Sequence, residues 1–245
     1  AGISGGKGII GIRCIVHAPT LALRFSVIKP KALLLDLDGT LLESEKLWFI
    51  AEQRLMGRYG HSWTVQDQRH CIGGPLSRVA DYMELQINGA QPASIIGAEL
   101  LREVGSLFAS EPIEWRPGAQ ALVMQAHKLQ IPTVIVTASW RVLLDSVMAR
   151  MSETVGDFTL SVAGDEVRKS KPHPEPYLNA AAGVGVPIDQ CLAIEDSHTG
   201  TLSAVNAAAK VIAVAHMQPV EMPGAVFLKT LEGQDVESLW MLANM

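Results

Sequence analysis

Ala32-Leu33-Leu34-Leu35-Asp36-Leu37-Asp38-Gly39-Thr40 decides how the rest of the chain is read. Four apolar residues in a row, bounded by polar ones, form a strand buried on both faces. That strand runs straight into two carboxylates and a glycine turn. Residues two apart on a strand project to the same side, so Asp36 and Asp38 would repel each other unless a cation sits between them. The stretch therefore implies a bound cation and two acidic groups with different tasks on one substrate. An ordinary strand followed by an Asp-Gly turn is the simpler alternative, and the remainder of the chain has to choose between them.

Moving outward, apolar runs alternate with helical stretches. The strands expected are 32–36, 132–137, 158–163, 191–195 and 211–214. Between them lie helix candidates at 119–129, 142–151, 175–182 and 199–208. Short apolar runs separated by helices describe a parallel sheet covered on both faces. The fold class is α/β, a doubly wound, Rossmann-like parallel sheet. One connection departs from this rhythm. About seventy residues, from Glu45 to Ile113, separate the first strand from the helix that leads to the second, too many for a structureless loop in a compact domain. They read as helices at 46–58, 76–85 and 93–109, punctuated by Gly73-Gly74-Pro75 and Asn88-Gly89. The organisation expected is a catalytic core of 29–44 and 114–245, an inserted α-helical cap over 45–113, and an N-terminal extension over 1–28. Glu111-Pro112 and Arg116-Pro117-Gly118 mark the return hinge.

Polar groups recur at the carboxyl ends of the expected strands, the edge where open α/β sheets bind ligands. The first strand delivers Asp36 and Asp38, the second Thr137, Ala138 and Ser139. Lys171-Pro172-His173-Pro174 follows the third, and Glu195-Asp196-Ser197 ends the fourth. Each has an ordinary explanation alone, as a helix cap or a turn residue. Four such groups at one edge, in order, do not. In these motifs the chain resembles the haloacid dehalogenase-like superfamily, in its phosphatase and phosphomutase branch with a helical cap inserted after the first motif. Asp36-Leu37-Asp38-Gly39-Thr40 is similar to the first family motif and Thr137 to the second. Lys171 matches the third, and Glu195-Asp196-Ser197 with Gly200 the fourth. The resemblance covers about residues 30–215.

The resemblance implies Mg²⁺-dependent hydrolysis of a small phosphate monoester. Mg²⁺ is held by few carboxylates together with phosphate and water, here Asp36, Asp196 and the backbone carbonyl of Asp38. Glu195 would join that shell directly or through water. Asp36 would be the nucleophile, forming an aspartyl-phosphate, and Asp38 the acid and base. Lys171 would neutralise charge and hold Asp36. Thr137 and Ala138, with backbone N–H groups, would bind phosphate oxygens together with Lys171. Dehalogenases of the superfamily lack the second acid, so Asp38 favours phosphoryl transfer. Sugar-phosphate mutases of the branch carry a histidine twelve residues after the nucleophile, where this chain has Trp48. That favours hydrolysis, with a phosphomutase of the β-phosphoglucomutase type as the alternative and a non-catalytic binding relative as the third. Arg78 is the candidate contact for the leaving group, against a solvated helix arginine. Trp48 is read as lining the pocket or filling the cap interior. His70 and His173 read as surface or turn residues.

The bulk properties bound this reading. At 245 residues, 48% hydrophobic and 18% charged, the chain buries a full core. A net charge of −5 gives no reason to expect nucleic acid as a partner. Arg13, Pro19 and Arg24 interrupt the early apolar stretch before it reaches membrane-span length. The partner expected is a small phosphorylated metabolite, with no membrane, and the chain acting as a monomer or weak homo-oligomer. Cys14, Cys71 and Cys191 are odd in number and scattered, which points to a reducing compartment, the cytoplasm. Residues 1–28 carry basic residues and no acidic one, a composition shared with transit-type targeting peptides. Gly6-Lys7-Gly8 lacks the residues a phosphate loop requires on either side.

Overall fold

In the computed structural model, residues 1–2, 29–71, 75–217 and 219–245 are described. The N-terminal extension over 3–28, with its targeting reading and Cys14, lies outside them, as do Gly73 and Gly74. Six strands form one parallel sheet: β1 (Ala32–Leu35), β2 (Thr133–Val136), β3 (Leu160–Val162), β4 (Cys191–Glu195), β5 (Lys210–Val214) and β6 (Ala225–Leu228). Their order is β3-β2-β1-β4-β5-β6. The chain thus starts in the middle, winds outward to β3, and crosses back to β4 to wind the other way. The reversal falls between β1 and β4, where doubly wound sheets open a crevice beyond the strand ends.

The apolar run in β1 has a direct physical cause. The strand is flanked on both edges, pairing Leu34 with Val134 on one side and Ala193 on the other. Its side chains alternate between two cores. Leu33 and Leu35 enter one with residues of α5 (Ala119–Lys128), α6 (Arg141–Val155) and α9 (Val236–Leu242). Ala32 and Leu34 enter the other with Tyr177 and Ala180 of α7 (Glu175–Gly183) and Ala204 of α8 (His198–Asn206). Helices on both faces require the strand to be apolar at every position.

Between β1 and α5 lie four helices: α1 (Glu45–Arg58), α2 (Val65–Cys71), α3 (Leu76–Gln86) and α4 (Ala93–Ser110). In α4, Ile96, Leu100, Val104, Leu107 and Phe108 recur at helical spacing and form the buried face. α4 packs against α1, α3 and, across to the sheet unit, α6. The outgoing and returning segments run side by side. Leu42 bridges Trp115 in antiparallel fashion, Glu43 N–H donates to the Glu114 carbonyl, and Arg116 N–H donates to the Leu41 carbonyl.

Three expectations are corrected here. β3 is confined to Leu160–Val162 within the expected 158–163, since Phe158 precedes the strand. α2 forms in Val-Gln-Asp-Gln-Arg-His-Cys, which has no apolar periodicity, because Asp67 accepts from the Thr64 N–H and caps the first turn. The sheet has a sixth strand, β6, half-buried throughout at the edge beside β5. Cys71 and Cys191 are buried free thiols, as expected of small core residues.

Candidate active site

The crevice at the carboxyl ends of β1 and β4 gathers Asp36, Asp38, Lys171, Glu195 and Asp196. Asp36 directly extends β1, its N–H still donating to the Ile194 carbonyl. Glu195 is the last residue of β4 and is 0% exposed. Lys171, whose side chain is 5% exposed, reaches between the two acids. Its Nζ donates to Asp36 Oδ1 at 2.8 Å, to the Val136 carbonyl at 2.8 Å and to Glu195 Oε1 at 2.5 Å. An ammonium has three protons, and all three are engaged. The lysine charge therefore acts on Asp36 rather than standing as a free phosphate ligand. Burial opposes the charge on Lys171, yet the two carboxylates outweigh it and hold its pKa above the ordinary value.

Glu195 is fully occupied as an acceptor. Lys171 and the Tyr177 hydroxyl donate to Oε1, while the Asp196 N–H, Ser197 N–H and Ser197 hydroxyl donate to Oε2. Ser197 Oγ also accepts from the Gly200 N–H, capping α8. Gly200 has no room for a side chain, since a Cβ there would collide with the Glu195 carboxylate. Burial and the Glu195 charge also push the Tyr177 hydroxyl pKa well up, keeping it a donor.

Asp36 differs. Its Oδ2 is buried and has no hydrogen-bond partner among the described residues. Burial, then the charge of Glu195, raise its pKa well above the usual carboxylate range, against the pull of Lys171. Asp36, Glu195 and Asp196 each bring a carboxylate oxygen within 4.8 Å of the others. Three acids converging on an orphaned oxygen fit a divalent cation with oxygen ligands. With Glu195 saturated by donors, the oxygens fitted to such an ion are Asp36 Oδ2 and those of Asp196. Gly39 admits Asp196 to this position. Its φ of +84° belongs to the left-handed region, and a Cβ would overlap Asp196 Oδ2.

Asp196 is held from behind by residues that no motif signalled. His216, in the loop after β5, contacts Asp196 Oδ2 at 3.1 Å and Glu43 Oε1 at 2.9 Å. Arg116 in turn donates to Glu43 Oε2 at 2.5 Å. Burial raises the pKa of Asp196, and the His216 hydrogen bond only partly offsets it. For His216 burial pulls downward, but the two carboxylates prevail and its pKa is raised. Sequence offered no cue for this chain of contacts, because its members lie 73 and 173 residues apart.

Asp38 stands in hydroxyl surroundings. Ser44 Oγ donates to Oδ1 at 2.6 Å, and Ser139 Oγ donates to Oδ2 at 2.6 Å. Thr137 Oγ1 lies 3.4 Å from Oδ2 and accepts from the Ser139 N–H at 2.9 Å. Ser44 occupies the N-cap position of α1 without capping it; its hydroxyl is spent on Asp38 instead. A cavity of about 200 Å³ joins these groups to the helical segment. Asp36, Asp38, Thr137, Ala138, Lys171 and Asp196 line its sheet end, and Glu45, Trp48, Glu52, Gln68 and Cys71 its helical end. Trp48 is both a lining residue and packed against the core.

Arg78 is not brought into this cavity. It is exposed on α3 and donates to the Cys71 carbonyl at 3.2 Å. His70 is exposed and lies 4.2 Å, ring to ring, from Tyr82, and His173 accepts from the Glu175 N–H in a turn. Both match their sequence reading.

The family model for haloacid dehalogenase-like hydrolases matches residues 33–214, three quarters of the chain and every element of this crevice. The chain is a haloacid dehalogenase-like hydrolase. CbbY of Rhodobacter capsulatus is 34% identical over 191 residues, spanning 74% of this chain and 84% of that protein. Hexitol phosphatase B of Escherichia coli (strain K12) is 27% identical over 186 residues, spanning 75% and 82%. The crystal structure of CbbY from Rhodobacter sphaeroides in complex with phosphate superposes with a TM-score of 0.76 at 25% identity, covering 86% of this chain and 99% of that one. A mutant of the same protein has also been crystallised in complex with xylulose-(1,5)bisphosphate. Membership in this hydrolase family agrees with the fold and with the order of the four motifs.

Proposed function

We propose that this hydrolase releases inorganic phosphate from a small phosphate monoester through an aspartyl-phosphate on Asp36, with Mg²⁺ as cofactor. One observation carries this reading: at the sheet end of the cavity Asp36 keeps a buried oxygen without a partner among the described residues, while its other oxygen is fixed by Lys171. An acid built for structure alone would have both oxygens satisfied. Asp36 and Asp196, with the Asp38 carbonyl, would hold Mg²⁺. The ion would supply positive charge to the phosphate and the nucleophile together.

In the first step a carboxylate oxygen of Asp36 attacks phosphorus in line, and the bond from phosphorus to the ester oxygen breaks. Asp38, oriented by Ser44 and Ser139, would give a proton to the leaving alcohol. In the second step the Asp38 carboxylate takes a proton from water as that water attacks the phosphoryl group, and the Asp36 carboxylate is released. Thr137, the Ala138 backbone and the field of Lys171 bind and neutralise the phosphate, the part of phosphoryl transfer that depends on placement. Helices α1 to α4 act as a cap, a role supported by the cavity being walled from both sides. The phosphate ester is expected to be a sugar phosphate or a similar metabolite, as the hexitol phosphatase and the bisphosphate complex of CbbY indicate for those relatives.

Trp48 stands where a mutase of this branch has its histidine and brings no proton-transfer group to the cavity. The test is phosphate release from a panel of monoesters with Mg²⁺, beside Asp36→Asn. Release from the wild type and none above background from the variant is expected. Interconversion of sugar phosphates dependent on a bisphosphate would replace hydrolysis by mutase activity.

A further inference from the structure

Two segments join α1–α4 to the sheet, residues 36–44 on the way out and 111–118 on the way back. They are paired backbone to backbone, and two ion pairs lie across the same junction. Lys46 of α1 meets Glu114 at 2.5 Å with both side chains half-exposed, 53% and 54%, the kind of surface pair that contributes little. The pair of Arg116 with Glu43 is more sheltered, and the contacts continue beyond it. Glu43 Oε1 meets His216 Nε2, and His216 Nδ1 meets Asp196 Oδ2. The His216 side chain is 5% exposed. A line of side-chain contacts therefore runs from both linking segments to a carboxylate fitted to the divalent cation.

Asp196 is held at both oxygens. Thr40 Oγ1, in the turn after β1, donates to Oδ1 at 3.2 Å, and His216 contacts Oδ2. There is no slack behind them, since a Cβ on Gly39 would overlap both Asp196 Oδ2 and His216 Nδ1. His216 is fixed on its far side as well. Glu43 contacts its Nε2, and the Arg116 guanidinium donates both to Glu43 Oε2 and to the carbonyl of Ala215, the residue before His216. An imidazole anchored at one nitrogen could turn about its side-chain bonds; anchored at both, it keeps Asp196 in one orientation. Carboxylates that ligate a metal depend on such partners, and losing one typically costs about 10–100-fold in metal affinity or activity.

We propose that Glu43 is a positioning residue for the metal ligand Asp196, acting through His216, and that Mg²⁺ binding and the pairing of the two linking segments are thereby coupled. This coupling rests on the phosphatase reading above, with Mg²⁺ held between Asp36 and Asp196. Coupling between sites is reciprocal. If the linking segments hold Asp196 in place for the ion, the ion holds the linking segments together. The Glu43 N–H donates to the Glu114 carbonyl and the Arg116 N–H to the Leu41 carbonyl. The two residues at the outer end of the side-chain line thus also tie one segment to the other. Glu43, His216 and Arg116 take no step of the reaction; they set where Asp196 stands and so how tightly the ion is held.

Isothermal titration of the full chain with Mg²⁺ alone, at one pH and without substrate, measures this directly. Glu43→Gln and His216→Ala should each weaken Mg²⁺ binding by about tenfold or more. Adding Glu43→Gln to His216→Ala should weaken it no further, the non-additivity expected when one residue acts through the other. Lys46→Met, which breaks the exposed pair at the same junction, should leave the affinity unchanged. Excess Mg²⁺ should restore phosphate release by Glu43→Gln, as a loss of affinity alone requires. In hydrogen exchange, saturating Mg²⁺ should slow the Glu43 and Arg116 amides of the wild type and not those of His216→Ala. Thermal unfolding without Mg²⁺ reports that the variants are folded. Arg116→Gln, which removes only the outer anchor, should weaken binding in the same direction and serves if Glu43→Gln does not fold. Unchanged affinity in Glu43→Gln, additive losses in the double variant, an equal loss in Lys46→Met, or amides that respond alike in wild type and His216→Ala overturns the proposal. Binding that Asp196→Asn abolishes and Glu43→Gln leaves intact sinks the coupling alone, whereas no Mg²⁺ binding by the wild type sinks the metal reading with it.

Discussion

Lys171 shows how one residue makes an otherwise unstable arrangement possible. Asp36 and Glu195 are both buried, and each would repel the other without the ammonium between them. Removing one member of a buried ionic group leaves uncompensated charge and costs about 3–5 kcal/mol. Lys171→Met is therefore expected to lose hydrolysis and to unfold at markedly lower urea, with phosphate release and a urea titration as the two measurements. Glu52 makes the opposite case. Its folded-state pKa is raised to about 8 from 4.5, by burial first and the charges of Glu45 and Asp67 after it, against the Trp63 hydrogen bond. A raised folded pKa means the native state holds the proton more tightly than the unfolded chain. Stability from this group is thus complete below about pH 4.5 and drains away as pH rises towards 8. Glu52→Gln lacks that slope. Its unfolding free energy relative to wild type should climb between those pH values, each unit of pKa difference corresponding to about 1.4 kcal/mol. Urea titrations at pH 5 and pH 8.5 read the change, and a constant difference would show that Glu52 is solvated in the folded chain.

The elements explain why part of the chain was legible before the structure was known. β1, β2 and β4 are enclosed on both faces and both edges, so apart from Thr133 and the site residue Glu195 their positions are apolar and the runs stood out. β6 sits at the edge, half-buried along its length, and its Ala-Val-Phe-Leu run between loops looked no different from other short apolar patches. On α1, the sequence does not single out Glu45 and Glu52, because periodicity reports which face is buried, not that a buried face borders a cavity. The junction of β4 with α8 is the most constrained element. Ser197 caps the helix and touches Glu195, and Gly200 leaves room for the Glu195 carboxylate. Five donors fix that carboxylate, so it has no cheap way to yield. Gly200→Ala is accordingly expected to destabilise by about 1–3 kcal/mol, the usual cost of overpacking. It should also lower kcat through displaced Lys171 more than it changes KM. Differential scanning calorimetry and steady-state kinetics test the two halves of this expectation.

At the scale of the whole molecule, topology does what no single motif can. The reversal of strand order between β1 and β4 brings residues 36 and 196 to one crevice, and the segment between β1 and α5 lays its helices over that crevice. The order of the motifs along the chain therefore disclosed the sheet-side site. The contacts of His216 with Asp196 and Glu43 were hidden, since they depend on where the loop after β5 returns. The same convergence predicts how the molecule responds to a divalent cation. Asp36, Glu195 and Asp196 repel one another in the folded state, and burial and mutual charge raise the pKa of both aspartates. In the unfolded chain these acids are far apart and solvated. An ion that binds only the folded arrangement stabilises it by RT ln(1 + [L]/Kd), about 2.7 kcal/mol at a hundredfold excess over Kd. Mg²⁺ should therefore raise the unfolding temperature of the wild type in the absence of any substrate, and EDTA should reverse both that shift and the hydrolysis. Asp196→Asn removes one of the repelling charges and one of the oxygens fitted to the ion. Its unfolding temperature without Mg²⁺ should equal or exceed that of the wild type, while the increment on adding Mg²⁺ should vanish. Equal increments in both proteins would place the ion elsewhere than between Asp36 and Asp196.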